Sequence, residues 1–196
     1  MLRQSMSFTC CLCCLLCFGI AAVAPVFIPL FLGPGYEATI SLTMYLALVM
    51  IPLSLTDTLQ NQYLVPFKQE KVYTMSVTVG AITNLVLNSL LIPIWGGAGA
   101  VIGTIGASLG AFLYQMAHVR KIFSFRNLLS SLLPFMLCGT VEFLCAYSLR
   151  GISSSPFVVL AVQLLVGGIS YLICCIPVLL FWKKDLYHFL KRFIGK

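Results

Sequence analysis

Apolar side chains run in six unbroken stretches, each about 20 residues or longer, and the turns between them hold most of the charge. A run of that length matches a helix crossing the ~30 Å hydrocarbon layer of a bilayer. Lipid offers the backbone no hydrogen bonds, so a spanning segment must satisfy its own amides, and a helix does this within one segment. A transmembrane barrel would instead show ~10-residue segments of alternating polarity. Of the 196 residues, 60% are hydrophobic and 9% charged, whereas soluble domains carry about 25% charge. Water could not solvate such a surface, and the mean hydropathy of +1.03 agrees. The expected fold is all-α, a polytopic membrane helix bundle of about six transmembrane helices plus a C-terminal amphipathic helix.

Turn chemistry sets the expected borders. The first span covers Phe8 to Leu32 and ends at the Gly33-Pro34-Gly35 turn. Arg3 and Ala22-Val23-Ala24 imitate a cleavable leader, but the run continues to Leu32 and Pro25 follows the would-be cut, so it reads as a span. The second span, Ile40 to Leu64, holds Pro52 mid-way and should kink there. The third covers Val72 to Ile94, with Pro93 expected to end it and Trp95 at belt level. Gly96-Gly97-Ala98-Gly99 is so short a link that the third and fourth spans must be antiparallel neighbours. The fourth, Ala98 to His118, carries Gly99 and Gly103 four apart, followed by Ala107 and Ala111, while Gly106 and Gly110 repeat the spacing on an adjacent face; such a small-residue pattern lets helix backbones approach closely in lipid. A phosphate-binding loop would need a preceding strand and a following Lys-Ser or Lys-Thr. The fifth span covers Leu128 to Leu149 and the sixth Phe157 to Trp182. Residues 1–182 thus form the bundle. Residues 183–196 form a basic tail whose Leu186, Phe189, Leu190, Phe193 and Ile194 share one helical face, as on an interfacial helix.

With six spans, Arg150 alone among the twelve Lys and Arg falls on one side. The positive-inside rule then places both termini in the cytoplasm of a multi-pass plasma-membrane protein. The net charge of +7 is explained by topology, so nucleic acid is not an expected partner. All nine cysteines fall within expected spans, where thiols act as small hydrophobes. The two Cys-x-x-Cys pairs, Cys10 with Cys13 and Cys14 with Cys17, lack the polar surroundings of a zinc site, and neither metal nor other cofactor is expected.

Catalysis is not expected either. His118 and His188 both lie at basic helix ends, and neither forms a convincing pair with a carboxylate. The informative polar residues are those inside spans. An ionised carboxylate at mid-helix costs ~2.5–3.5 kcal/mol on insertion scales, so Asp57 and Glu142 need partners or a watery cavity. Together with Gln60, Asn61, Asn84 and Asn88 they read either as a substrate pathway or as polar contacts that hold the bundle together. Asn84 and Asn88 share one helical face, which would lie open to lipid unless something covered it.

One region carries a resemblance. Gln62-Tyr63-Leu64-Val65-Pro66 with Lys68 and Lys71 is followed by Tyr73-Thr74-x-Ser76, Gly80-Ala81-Ile82-x-Asn84-Leu85, Asn88 and Leu91-Ile92-Pro93, and then by Gly97-Ala98-Gly99-Ala100-x-Ile102-Gly103-Thr104. In order and spacing this string resembles the polysaccharide and oligosaccharide flippases of the multidrug/oligosaccharidyl-lipid/polysaccharide exporter superfamily. The turn from Gly33 to Tyr36 resembles that family's G-x-x-Y, so the likeness covers Gly33 to Lys121. Ser108 departs from it, standing where the family often has Glu. The resemblance implies the last six helices of a longer transporter, one that moves an undecaprenyl-linked oligosaccharide outward by alternating access during capsule or O-unit synthesis. It further implies a separately encoded N-terminal half or polysaccharide assembly proteins as partners. The other expectation is a truncated remnant or structural subunit that does not transport. A small membrane enzyme or channel fits least.

Overall fold

The computed structural model describes residues 2–182 of the chain. The basic amphipathic tail, 183–196, lies outside them. Among the described residues the protein is all-α, and six helices are long and apolar enough to cross a membrane: α1 (Leu2–Leu32), α2 (Glu37–Leu64), α3 (Glu70–Trp95), α4 (Gly97–Val119), α5 (Phe125–Gly151) and α6 (Pro156–Leu180).

The turns follow from backbone stereochemistry. Gly33 and Gly35 take φ of 84° and 98°, and Gly96 takes φ 55° with ψ −127°, regions that L side chains avoid. Gly96 alone links α3 to α4, so these two helices pack side by side. Pro156 opens α6 at its first position, where a missing N–H costs nothing.

Prolines within helices behave less uniformly than expected. Pro52 lies inside α2, and the turn just before it, Ala47–Val49, tightens to a 3-10 helix. The proline ring crowds the carbonyl four residues back and cannot bond to it, so the backbone narrows there. Pro93 does not end α3: the helix runs on to Trp95, with the Gly96 amide still bonded to the Ile92 carbonyl at 2.8 Å.

Packing centres on α1, which touches α2, α5 and α6. Its buried Met6, Cys10, Cys13, Cys14 and Cys17 form one side of the core. Leu55 and Leu59 of α2, Phe135 of α5 and Tyr171 of α6 meet Met6, Cys10, Cys13 and Cys14 in a single cluster. Hydrogen bonds tie α1 to each neighbour. Thr9 and Thr58 hydroxyls lie 2.7 Å apart, Ser7 donates to Ser131 at 3.2 Å, and the Tyr171 hydroxyl donates to the Cys11 carbonyl at 2.6 Å. The α3–α4 hairpin joins this group chiefly through α2 against α4. Along α3 only Ser76 and Gly80 are buried. Leu85, Leu90 and Ile94 are among its strongly exposed side chains, as expected of a surface solvated by lipid.

Candidate functional site

The polar residues within the spans fall into three separate places. The first is the α3–α4 hairpin. Gly99, Gly103, Gly106 and Gly110 of α4 face α3, and a Cβ added to Gly99 would strike the Leu91 carbonyl group and lie 2.8 Å from the Ile92 nitrogen. At Gly103 the added carbon would collide with the Asn88 side-chain oxygen; at Gly106 it would lie 2.5 Å from a Leu87 methyl. Gly110 is looser, with Thr83 Oγ1 at 3.4 Å from such a carbon. The stripe therefore brings the two backbones together by omitting side chains. Asn88 points its Oδ1 into the recess at Gly103, where α4 shelters that oxygen while the residue as a whole is half-buried. Its amide nitrogen donates to Asn84 Oδ1 at 3.0 Å, and its own Oδ1 is buried without a partner. Nearer the basic end, Gln115 of α4 donates to Ser76 Oγ of α3 at 2.8 Å, and both side chains are fully buried. Ser108 spends its hydroxyl on its own helix, bonding the Thr104 and Ile105 carbonyls.

The second place is the end of α2. Here Gln60–Leu64 winds as a π-helix, closed by the Val65 amide bonded to the Gln60 carbonyl at 3.0 Å. Such single-turn widenings insert an extra residue per turn and recur at functional sites. Asp57 and Asn61 are exposed and Gln60 half-buried, while Leu59 and Leu64 turn into the core. Asp57 stands seven residues before Leu64, so about 10 Å of helix separates it from the end of its span.

The third place is set deep between α1, α5 and α6. Glu142 is 3% exposed and Gln163 1%, and both line a cavity of about 220 Å³ with Leu15, Gly19 and Gly167. Gly19 makes room for the carboxyl, and Gly167 flanks its side chain. A Cβ on Gly19 would come within 3.0 Å of Glu142 Oε1, and one on Gly167 would lie 3.6 Å from Glu142 Cγ. Gln163 donates to the Ala146 carbonyl at 3.0 Å. That leaves Glu142 Oε2 and Gln163 Oε1 as buried oxygens with no bonding partner, and no Lys, Arg or His lines the cavity. Two buried polar groups left without partners in a lipid-embedded recess are costly and call for an explanation.

Glu142 is thus set apart from the asparagines and from Asp57, and the three places are not joined in one lined groove by any bond described above. Gln115 and Gln163 were not singled out from the sequence, and Ser76 entered only as part of the family-like string. Their signal was a lone amide or hydroxyl in an apolar run, which does not reveal the helix it faces. Among the described residues no group of three or more His, Cys, Asp or Glu is arranged to hold a metal ion. No family model, curated protein or solved structure matches the chain.

Proposed function

We propose that the chain is the C-terminal part of a flippase that exports lipid-linked oligosaccharide repeat units for surface polysaccharide. The observation that carries the reading is the coincidence of the family-like string with one structural unit. Residues 62–104 run from the π-helical end of α2, through α3, into the glycine-lined half of α4. Within the string, Gly80, Gly99, Gly103 and Asn88 lie in the contact between α3 and α4. Beyond that contact α3 buries almost nothing, so its outer face is free for a second helical half. A large amphiphile needs a cavity between two moving halves, which six helices in one bundle do not supply. On this reading the basic turns face the cytoplasm, and Glu142 is the membrane-buried group whose unpaired oxygen a moving partner or substrate would meet.

A second reading is a structural subunit that does not transport. It gains support from Asn88, whose Oδ1 is sheltered by α4 within this chain rather than turned to an open pathway. Expression in a strain lacking its repeat-unit flippase separates the two, with this chain alone and with a candidate N-terminal half. The flippase reading predicts surface polysaccharide only when both halves are present. No polysaccharide with both halves inserted in the membrane would favour the structural subunit. Restoration by this chain alone would show that no second half is needed.

A further inference from the structure

A groove of about 500 Å³ runs along the outer seam between α5 and α6. Its walls are Leu133, Leu137 and Val141 of α5 and Val178 of α6, and its floor is the small side chains Cys138 and Cys174 beside Pro134. Further along the seam, Gly167 meets Ala146 and Glu142, and Gln163 bonds the Ala146 carbonyl, which closes the two helices together. Nearer the basic end, two thiols and a proline ring do not fill the space between the helices.

The groove has the length of one leaflet. From Ser130, at its basic end, to Val141 is eleven helical residues, or about 16 Å, against a half-bilayer of about 15 Å. The lining positions 130, 133, 134, 137, 138 and 141 form one helical stripe, and Arg126 continues it one turn earlier, about 6 Å beyond Ser130. Arg126 is exposed in the first turn of α5, and none of the hydrogen bonds described for the bundle uses it. An apolar slot one leaflet deep, with a guanidinium at its mouth, fits an acyl chain hanging from a phosphate.

We propose that this groove binds an anionic diacyl phospholipid of the leaflet on the basic side. One acyl chain lies along Leu133, Leu137 and Val141, and the headgroup phosphate rests on Arg126. The guanidinium is suited to the phosphate by its forked donors. A cation near a headgroup surface confers a preference of about fivefold for an anionic lipid.

Native mass spectrometry of the whole chain tests this, with equal amounts of dioleoyl phosphatidylglycerol and dioleoyl phosphatidylcholine. The wild type should retain phosphatidylglycerol about fivefold better. Arg126→Gln should abolish that preference, whereas Arg120→Gln, a neighbouring basic residue off the stripe, should keep it. Leu137→Trp and Val141→Trp, at exposed wall positions that the fold tolerates, should reduce retention of both lipids. Equal retention of the two lipids by the wild type would overturn the proposal. So would identical behaviour of the two arginine variants, since that describes a diffuse basic surface. Displacement of phosphatidylglycerol by an equal amount of a polyprenyl phosphate would assign the groove to a different lipid and also overturn it.

Discussion

The α3–α4 contact makes its sharpest prediction at Gly99 and Gly110, two glycines on one stripe with opposite expected responses. A methyl added at Gly99 would sit 2.5 Å from the Leu91 carbonyl carbon. Carbon atoms prefer about 3.5–4.0 Å, so the helices would have to part by about 1 Å. The obstacle is backbone, which cannot rotate away, and the one-residue link at Gly96 prevents sliding. Overpacking of this kind costs ~1–3 kcal/mol. Replacing a helical glycine by alanine returns ~0.5–1 kcal/mol. Gly99→Ala should therefore lose roughly 1–2 kcal/mol net. At Gly110 the added methyl meets Thr83 Oγ1 at 3.4 Å and a Val79 methyl at 3.8 Å, both ordinary contacts. Gly110→Ala should be neutral or gain up to about 1 kcal/mol. Reversible unfolding in a mixed-detergent titration, followed by circular dichroism, reads both variants on one scale. A Gly99→Ala protein as stable as wild type, or a Gly110→Ala protein that is the weaker of the two, would refute the close-approach argument.

Other substitutions probe the remaining polar contacts. Gly103→Leu drives a side chain into Asn88 and should lower stability more than Gly99→Ala, by about 3 kcal/mol, in the same titration; an unchanged midpoint would contradict it. A double-mutant cycle of Ser76→Ala with Gln115→Ala should give a coupling of about 0.6 kcal/mol and at most ~1.7, the range for interhelical bonds in membranes; additive losses would mean that the bond contributes nothing. Glu142→Gln keeps the volume and brings an N–H to a cavity whose two oxygens lack a donor. Its unfolding free energy should equal the wild type's or exceed it by up to about 1 kcal/mol. A clear loss would show that the carboxyl itself is being held.

The six spans were legible because lipid imposes a blunt rule, about 20 apolar residues with breaks between them. Observed and expected ends agree to about three residues except at the start of α1, where Leu2 to Ser7 extend the helix beyond its expected apolar core. The glycines of α4 were legible for a related reason, since small residues every fourth position mark close packing; Gly106 and Gly110 were expected on a face adjacent to that of Gly99 and Gly103, whereas all four meet α3 and so share one face. Spacing does not fix what that face meets. Asn84 and Asn88 were correctly set on one side of α3, yet only the fold shows that Gly103 shelters Asn88. Glu142 was marked as costly, but its placement in one cavity with Gln163 and Gly19 depends on how α1, α5 and α6 are rotated about their axes. Nearly uniform apolar helices leave that rotation unwritten in the sequence. Pro93 misled because a proline near a helix end loses one bond without stopping the turn that follows.

The central claim is that these helices cross a bilayer with their basic turns on the inner face. Short epitope tags inserted singly after Lys68, Arg120 and Ser154 test it in intact and permeabilised cells. Tags at Lys68 and Arg120 should be reached only after permeabilisation, and the tag at Ser154 should be reached from outside. The opposite pattern, or equal access at all three sites, would contradict the account.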